Sequence, residues 1–117
     1  MPNQTEIKTL INQSDKVITI KSNRYYDYVP LQNIVYIKAE NNYCSLFTIE
    51  KKNYLTTNPL KYYEALLKDY GFIRINRSYI INRKHLQHYN LDKNIVKFTN
   101  EISITIGNKT NPKLLQL

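Results

Sequence analysis

Apolar and polar residues alternate in short runs along most of this chain, the period expected where strands bury one face. Residues 17–21 (VITIK) alternate, and residues 102–106 (ISITI) do so most cleanly, so one face of that last run should be buried. Residues 34–39 (IVYIKA) and 43–49 (YCSLFTI) read as strands on either side of the polar break Glu40-Asn41-Asn42. A hairpin tip at residues 50–53 leads to a strand over residues 54–57. Upstream, Ser22-Asn23-Arg24 reads as a turn, because Asn tolerates positive φ. The return strand over residues 25–29 should end at Pro30, which has no N–H for a ladder. Residues 72–75 and 79–81 flank the polar interruption Asn76-Arg77-Ser78. Residues 86–89 and 95–98 form a hairpin across Leu91-Asp92-Lys93-Asn94.

The period changes once. Leu60, Tyr63 and Leu67, with Leu66 beside them, fall on one face of a helix. Asn58 is positioned to cap it, with Pro59 at the first helical position, where its fixed φ suits the helix and its missing N–H is no loss. Lys68 complements the dipole in the last turn, and Gly71 should stop the helix in a left-handed conformation. A final turn of helix is expected over residues 112–117, after a break at Gly107-Asn108-Lys109. The predicted class is therefore mostly β, with many short antiparallel strands and one or two short helices. Residues 1–15 read as a linker or flexible arm and residues 16–117 as one domain, since 117 residues fit a single core.

Composition narrows the function. Eleven Tyr dominate the large side chains, and Tyr, Ile, Val and Thr all favour a pleated surface. The single Cys44 cannot make an internal disulfide, which fits a reducing, cytoplasmic setting. No apolar run has the length of a membrane span, and the polar N-terminus does not read as a secretory signal. The net charge of +8 is lopsided: residues 1–70 carry nine Lys/Arg against seven Asp/Glu, and residues 71–117 carry eight against two. A basic half suits a polyanionic partner.

Catalytic constellations are absent from the pattern. His85 and His88 lack further ligands at a metal-binding spacing, so no metal or other cofactor is implied. Cys44 lies in an apolar strand and reads as a packed small hydrophobe. Two glycines cannot build a phosphate-cradling loop. In contrast, residues 72–85 (FIRINRSYIINRKH) hold Arg74, Arg77, Arg83 and Lys84 without an acid. Arg pairs bidentately with phosphate and matches the two major-groove acceptors of guanine, while Asn matches adenine.

IVYIKAENNY (residues 34–43), followed by NPLKYYEALLKDYGFIRINRSYIIN (residues 58–82), resembles the LytTR-type DNA-binding domain. That family has a hydrophobic strand ending near Asn-Tyr, then a Leu-rich helix and a Phe-x-Arg-x-His-Arg-Ser-x-x-x-Asn motif. The final alternating strand and its polar loop also fit, and the resemblance covers roughly residues 17–117. It implies three small antiparallel sheets in an elongated β-β-β sandwich. It further implies a transcription regulator, usually the output half of a two-component response regulator whose phosphorylated receiver domain drives dimerisation on paired promoter sites. Family members dock loops, not a helix, into successive major grooves of double-stranded DNA. Carried over, the first loop supplies Asn41, Asn42 and Tyr43, the second Asn76, Arg77 and Ser78, and the third Asn108 and Lys109 after Gly107. Arg83 and Lys84, which extend the basic segment, are expected to bind DNA with them. This chain departs from the pattern in having Asn76 for the usual His, and Gly107-Asn108 for the usual Ser-Arg, so base preference should differ. Tyr43 reads either as a contact or as a packing anchor, Ser78 as a phosphate donor or a loop-fixing residue, and Asn82 as a contact or a local cap. The alternative function is a general RNA or single-strand binder using exposed Tyr as stacking platforms.

Overall fold

The strong central run IVYIKAE builds the middle of the molecule. In the computed structural model, which describes residues 11–12, 16–21 and 24–107, that run is β4 (Ile34–Glu40) at the centre of a five-stranded antiparallel sheet. Its sheet has the order β6-β5-β4-β8-β7, with β5 at Tyr43–Thr48, β6 at Asn53–Thr56, β7 at Phe72–Arg74 and β8 at Tyr79–Asn82. A second sheet joins β1 (Ile11–Asn12), β2 (Val17–Lys21) and β3 (Tyr26–Pro30), and a third joins β9 (Leu86–Asn90), β10 (Ile95–Phe98) and β11 (Ser103–Thr105). The helix α1 spans Leu60–Leu67. The whole is elongated, 48 × 26 × 24 Å.

Both faces of the central sheet are covered, which gives two cores. On one face Ile37, Cys44, Leu46 and Ile80 pack with Ile18, Ile20 and Val29 of the β1–β3 sheet and with Leu60, Tyr63 and Leu67 of α1. On the other, Val35, Tyr36 and Ile81 meet Val96, Phe98 and Ile106 of the third sheet. A strict period of two would put neighbouring residues on opposite faces, yet Val35 and Tyr36 share the second core. Ile34 pairs with Thr48 and Tyr36 with Phe47, so Val35 is the extra residue of a bulge. That bulge lets one strand feed two cores with consecutive large residues.

The structure agrees with the expected strands to within a residue or two and alters three details. Ile11 and Asn12, inside the segment read as an arm, pair with Ile18 and Val17 as β1. The rest of residues 1–15, the turn at Ser22-Asn23 and the expected helical turn over residues 112–117 lie outside the described residues. Asn58 does not cap α1. Pro59, extended at φ −72 and ψ 162, occupies the cap position, and the helix starts one residue later than expected. The Asn58 amide instead donates to Tyr63 Oη at 3.3 Å, and that hydroxyl donates to Thr56 Oγ1 at 2.7 Å. The third change is at the other end, where Lys68 opens a 3-10 turn over Lys68–Tyr70 that prolongs the helix. Gly71 then closes it at φ 85, the left-handed conformation expected of it.

Tyr36 makes the second core sensitive to alkali. Its ring stacks on Phe47 at 4.4 Å and on Phe98 at 5.8 Å. Burial pushes its hydroxyl up to about 12 from 10.0, with Tyr79 and Glu40 adding to the rise. A folded-state value above the unfolded one means the neutral phenol stabilises fully below about pH 10 and less as pH climbs through 12. Circular dichroism during an alkaline titration should therefore show unfolding in that window. Tyr36→Phe, with no hydroxyl to ionise, should move the transition to higher pH; an unmoved transition would mean other groups control it.

Candidate nucleic-acid interface

Two of the predicted loops, and the stem that leads to the third, lie at one end of the sandwich. In the β4–β5 hairpin, Glu40 pairs with Tyr43, which leaves Asn41 and Asn42 as a two-residue turn. Asn41 has φ 55, a left-handed conformation that Asn adopts more readily than other side chains. Asn41, Asn42 and Tyr43 are all exposed, Tyr43 at 51%. The Tyr43 side chain is thus turned to solvent and not packed as an anchor. Glu40 is held back by a 2.7 Å hydrogen bond from Ser45 Oγ.

The second loop lies beside the first because β4 and β8 are neighbours. Ala39 N–H donates to the Ser78 carbonyl at 2.8 Å, and Ile75 N–H to the Tyr79 carbonyl at 3.0 Å, closing the loop. Asn76 organises it from inside. Its Oδ1 accepts from Ser78 N–H at 2.8 Å and Tyr79 N–H at 2.9 Å, and its Nδ2 donates to the Ile106 carbonyl at 2.6 Å. Arg74 braces it from outside, donating from Nε to the Asn76 carbonyl at 3.0 Å and from Nη2 to the Arg77 carbonyl at 3.2 Å. Nη1 of the same guanidinium pairs with Glu64 of α1 at 3.0 Å. The loop backbone is thereby fixed, while Arg77 is exposed and its guanidinium has no hydrogen bond or ion pair among the described residues. Ser78 is exposed as well.

The third loop leaves the same end. Ile106 N–H donates to the Asn94 carbonyl at 2.9 Å, and Gly107 turns the chain at φ 81. Asn108 and Lys109 lie outside the described residues.

Arg83 and Lys84 are not brought to this end. They sit on a 3-10 turn, Arg83–His85, beyond the far end of β8. At about 3.3 Å per residue, the four residues of β8 set them on the order of 13 Å from the second loop. Asn82, which opens that turn, is 1% exposed; it donates to the Ile34 carbonyl at 2.8 Å and accepts from Lys84 N–H at 3.1 Å. Its side chain thus caps that turn from within the protein. Two roles were missed by sequence reasoning: the brace made by Arg74 with Glu64, and the bond from Asn76 to Ile106. Neither has a local signal, since each joins different elements of the fold.

Among the described residues no three His, Cys, Asp or Glu side chains converge on a metal-sized point. Burial pushes the Cys44 thiol up, away from the reactive thiolate. His85 Nε2 bonds the Gln32 carbonyl. No helix among the described residues is long and apolar enough to cross a membrane.

Comparison with known proteins agrees with the geometry. The family model described as the LytTr DNA-binding domain matches residues 23–117. The transcriptional regulatory protein LytR of Staphylococcus aureus strain N315 is 40% identical over 80 residues, covering 65% of this chain and 32% of that protein. The sensory transduction protein LytR of Staphylococcus haemolyticus is 28% identical over 98 residues, covering 84% of this chain and 37% of its own length. The chain thus spans about a third of the length of these relatives. Among solved structures, a LytTr DNA-binding domain from Bacillus cereus superposes with a TM-score of 0.72 at 23% identity, covering 86% of this chain and 97% of that one, which shows a shared fold.

Proposed function

Because the chain belongs to the LytTr family of DNA-binding domains, we propose that it reads double-stranded DNA by inserting three loops into successive major grooves. The observation that carries this is the exposed Arg77 guanidinium, without a partner among the described residues and presented on a loop whose backbone is already held by Asn76 and Arg74. A preformed loop loses little ordering entropy on binding, so more of its contact energy appears as affinity. An exposed Arg77 suits spanning O6 and N7 of a guanine or clamping a phosphate. Asn41 and Asn42 suit adenine, and the Tyr43 and Ser78 hydroxyls suit phosphate oxygens. Asn108 and Lys109 extend the contact from Gly107. Arg83 and Lys84 contribute to the positive field that attracts DNA and are assigned no base.

The wider setting is part of the same proposal. Relatives of which the match covers about a third bear names of transcriptional and sensory-transduction regulators. This chain accordingly acts as the output domain of a cytoplasmic regulator, joined to a receiver domain and binding paired sites as a homodimer. It works by binding and catalyses no reaction.

Competition between a selected duplex, its single strands and RNA of the same sequence tests the reading. The duplex should win, and its affinity should fall steeply with salt. If about five phosphates are neutralised, raising salt from about 50 to 200 mM should weaken binding by roughly two to three orders of magnitude. A preference for single strands or RNA, stacking on exposed Tyr, would overturn it.

A further inference from the structure

We infer that Asn76 is a positioning residue that ties the second loop to Ile106, the stem from which the third leaves, so that the bases beside Arg77 and those beside Gly107 are selected as a unit. This rests on the DNA-binding reading above. On sequence grounds Asn76 stood among the direct contacts. The structure shows its carboxamide engaged inside the protein. One oxygen accepts two backbone N–H groups of its own loop, and the nitrogen crosses to a carbonyl thirty residues away, at 2.6 Å.

The far partner is itself fixed. Ile106 is 3% exposed in the second core, and its N–H bonds the Asn94 carbonyl at 2.9 Å. A continuous path therefore runs from the β9–β10 turn through Ile106 and Asn76 to Ser78 and Tyr79. Gly107 follows Ile106 directly, so the stem of the third loop is tied to the frame that presents Arg77. A carboxamide suits this place because it offers an oxygen with two lone pairs and a separate N–H donor. Ser keeps an acceptor for the turn but is too short to reach Ile106. Asp keeps the turn but sets an acceptor against the Ile106 carbonyl. Either change should leave each loop intact and free their relative placement, and a loop that must be ordered on binding discriminates less.

Selection from random duplexes tests this with the whole chain. Arg77→Ala and Lys109→Ala first identify which base pairs depend on the second and third loops. Asn76→Ser should then lose preference at the pairs dependent on Lys109, although no third-loop residue has changed. The ratio of specific to non-specific affinity should fall about tenfold, on the scale of one mismatched pair. The salt slope should stay as in the parent, since no cation is removed. Asn76→Asp should reproduce the lost ratio, and it decides the matter if the Ser variant does not fold; its added charge weakens specific and non-specific binding together. A change confined to the Arg77-dependent pairs would make Asn76 a direct base reader and overturn the inference, as would no change at either set. A parent chain without any sequence preference would instead overturn the DNA-binding reading, and the inference with it.

Discussion

Replacing Phe98 by Ala should destabilise the domain by about 3–5 kcal/mol, the range for emptying a buried aromatic site. Phe98 is fully buried and lies parallel to Tyr36 across the second core, with ring centroids 5.8 Å apart. Its N–H also bonds the Ile102 carbonyl at 2.8 Å, where β10 turns back toward β11. The whole third sheet docks through this core, and the stem of the third loop with it. Domains of this kind have roughly 5–15 kcal/mol in total, so the loss is a large fraction. Urea unfolding should show the lower midpoint, and DNA binding should fall with it as the temperature rises. Phe98→Leu fills most of the space and should cost less, about 1 kcal/mol. A loss below about 1 kcal/mol for the Ala variant would mean that the site collapses and that other contacts dock the third sheet.

Replacing Arg77 by Ala should produce the opposite profile. Stability should change by less than about 0.5 kcal/mol, because the side chain is exposed and no described residue depends on its guanidinium. The loop itself should persist, since Arg74 holds the Arg77 carbonyl and not its side chain. Affinity for the selected duplex should fall by about 1–3 kcal/mol, and preference at one base position should relax. Arg77→Lys separates the two roles of the residue. Lysine keeps the charge and non-specific binding but lacks the fork that spans two guanine acceptors. Restored specificity in the Lys variant would make Arg77 a phosphate clamp. Unchanged binding by the Ala variant would remove Arg77 from the interface altogether.

Much of this architecture was legible before any coordinates. The alternation in VITIK and ISITI, the run IVYIKA and the helical spacing of Leu60, Tyr63 and Leu67 all correspond to observed elements. The polar breaks at Asn41-Asn42 and Asn76-Arg77-Ser78 are loops, and Gly71 ends the helix as expected. The bulge at Val35 was not legible, because IVYIKA reads as one apolar strand whether it faces one core or two. The distance of Arg83 and Lys84 from Arg77 was not legible either. Sequence proximity made them one patch with Arg77, whereas an extended β8 carries them to the other end of the sheet.

What the sequence determined by itself is local: which runs are extended, where the chain turns, which half is basic, and that an Arg stands at the tip of a polar break. These follow from side-chain period and turn chemistry acting over a few residues. Only the tertiary structure decided that the first two loops share an end, that Arg74 is consumed in bracing while Arg77 has no partner among the described residues, and that Asn76 bonds Ile106. Those outcomes depend on sheet pairing and on two cores filled from distant segments. A hydrogen bond across thirty residues has no signature in the residues beside it.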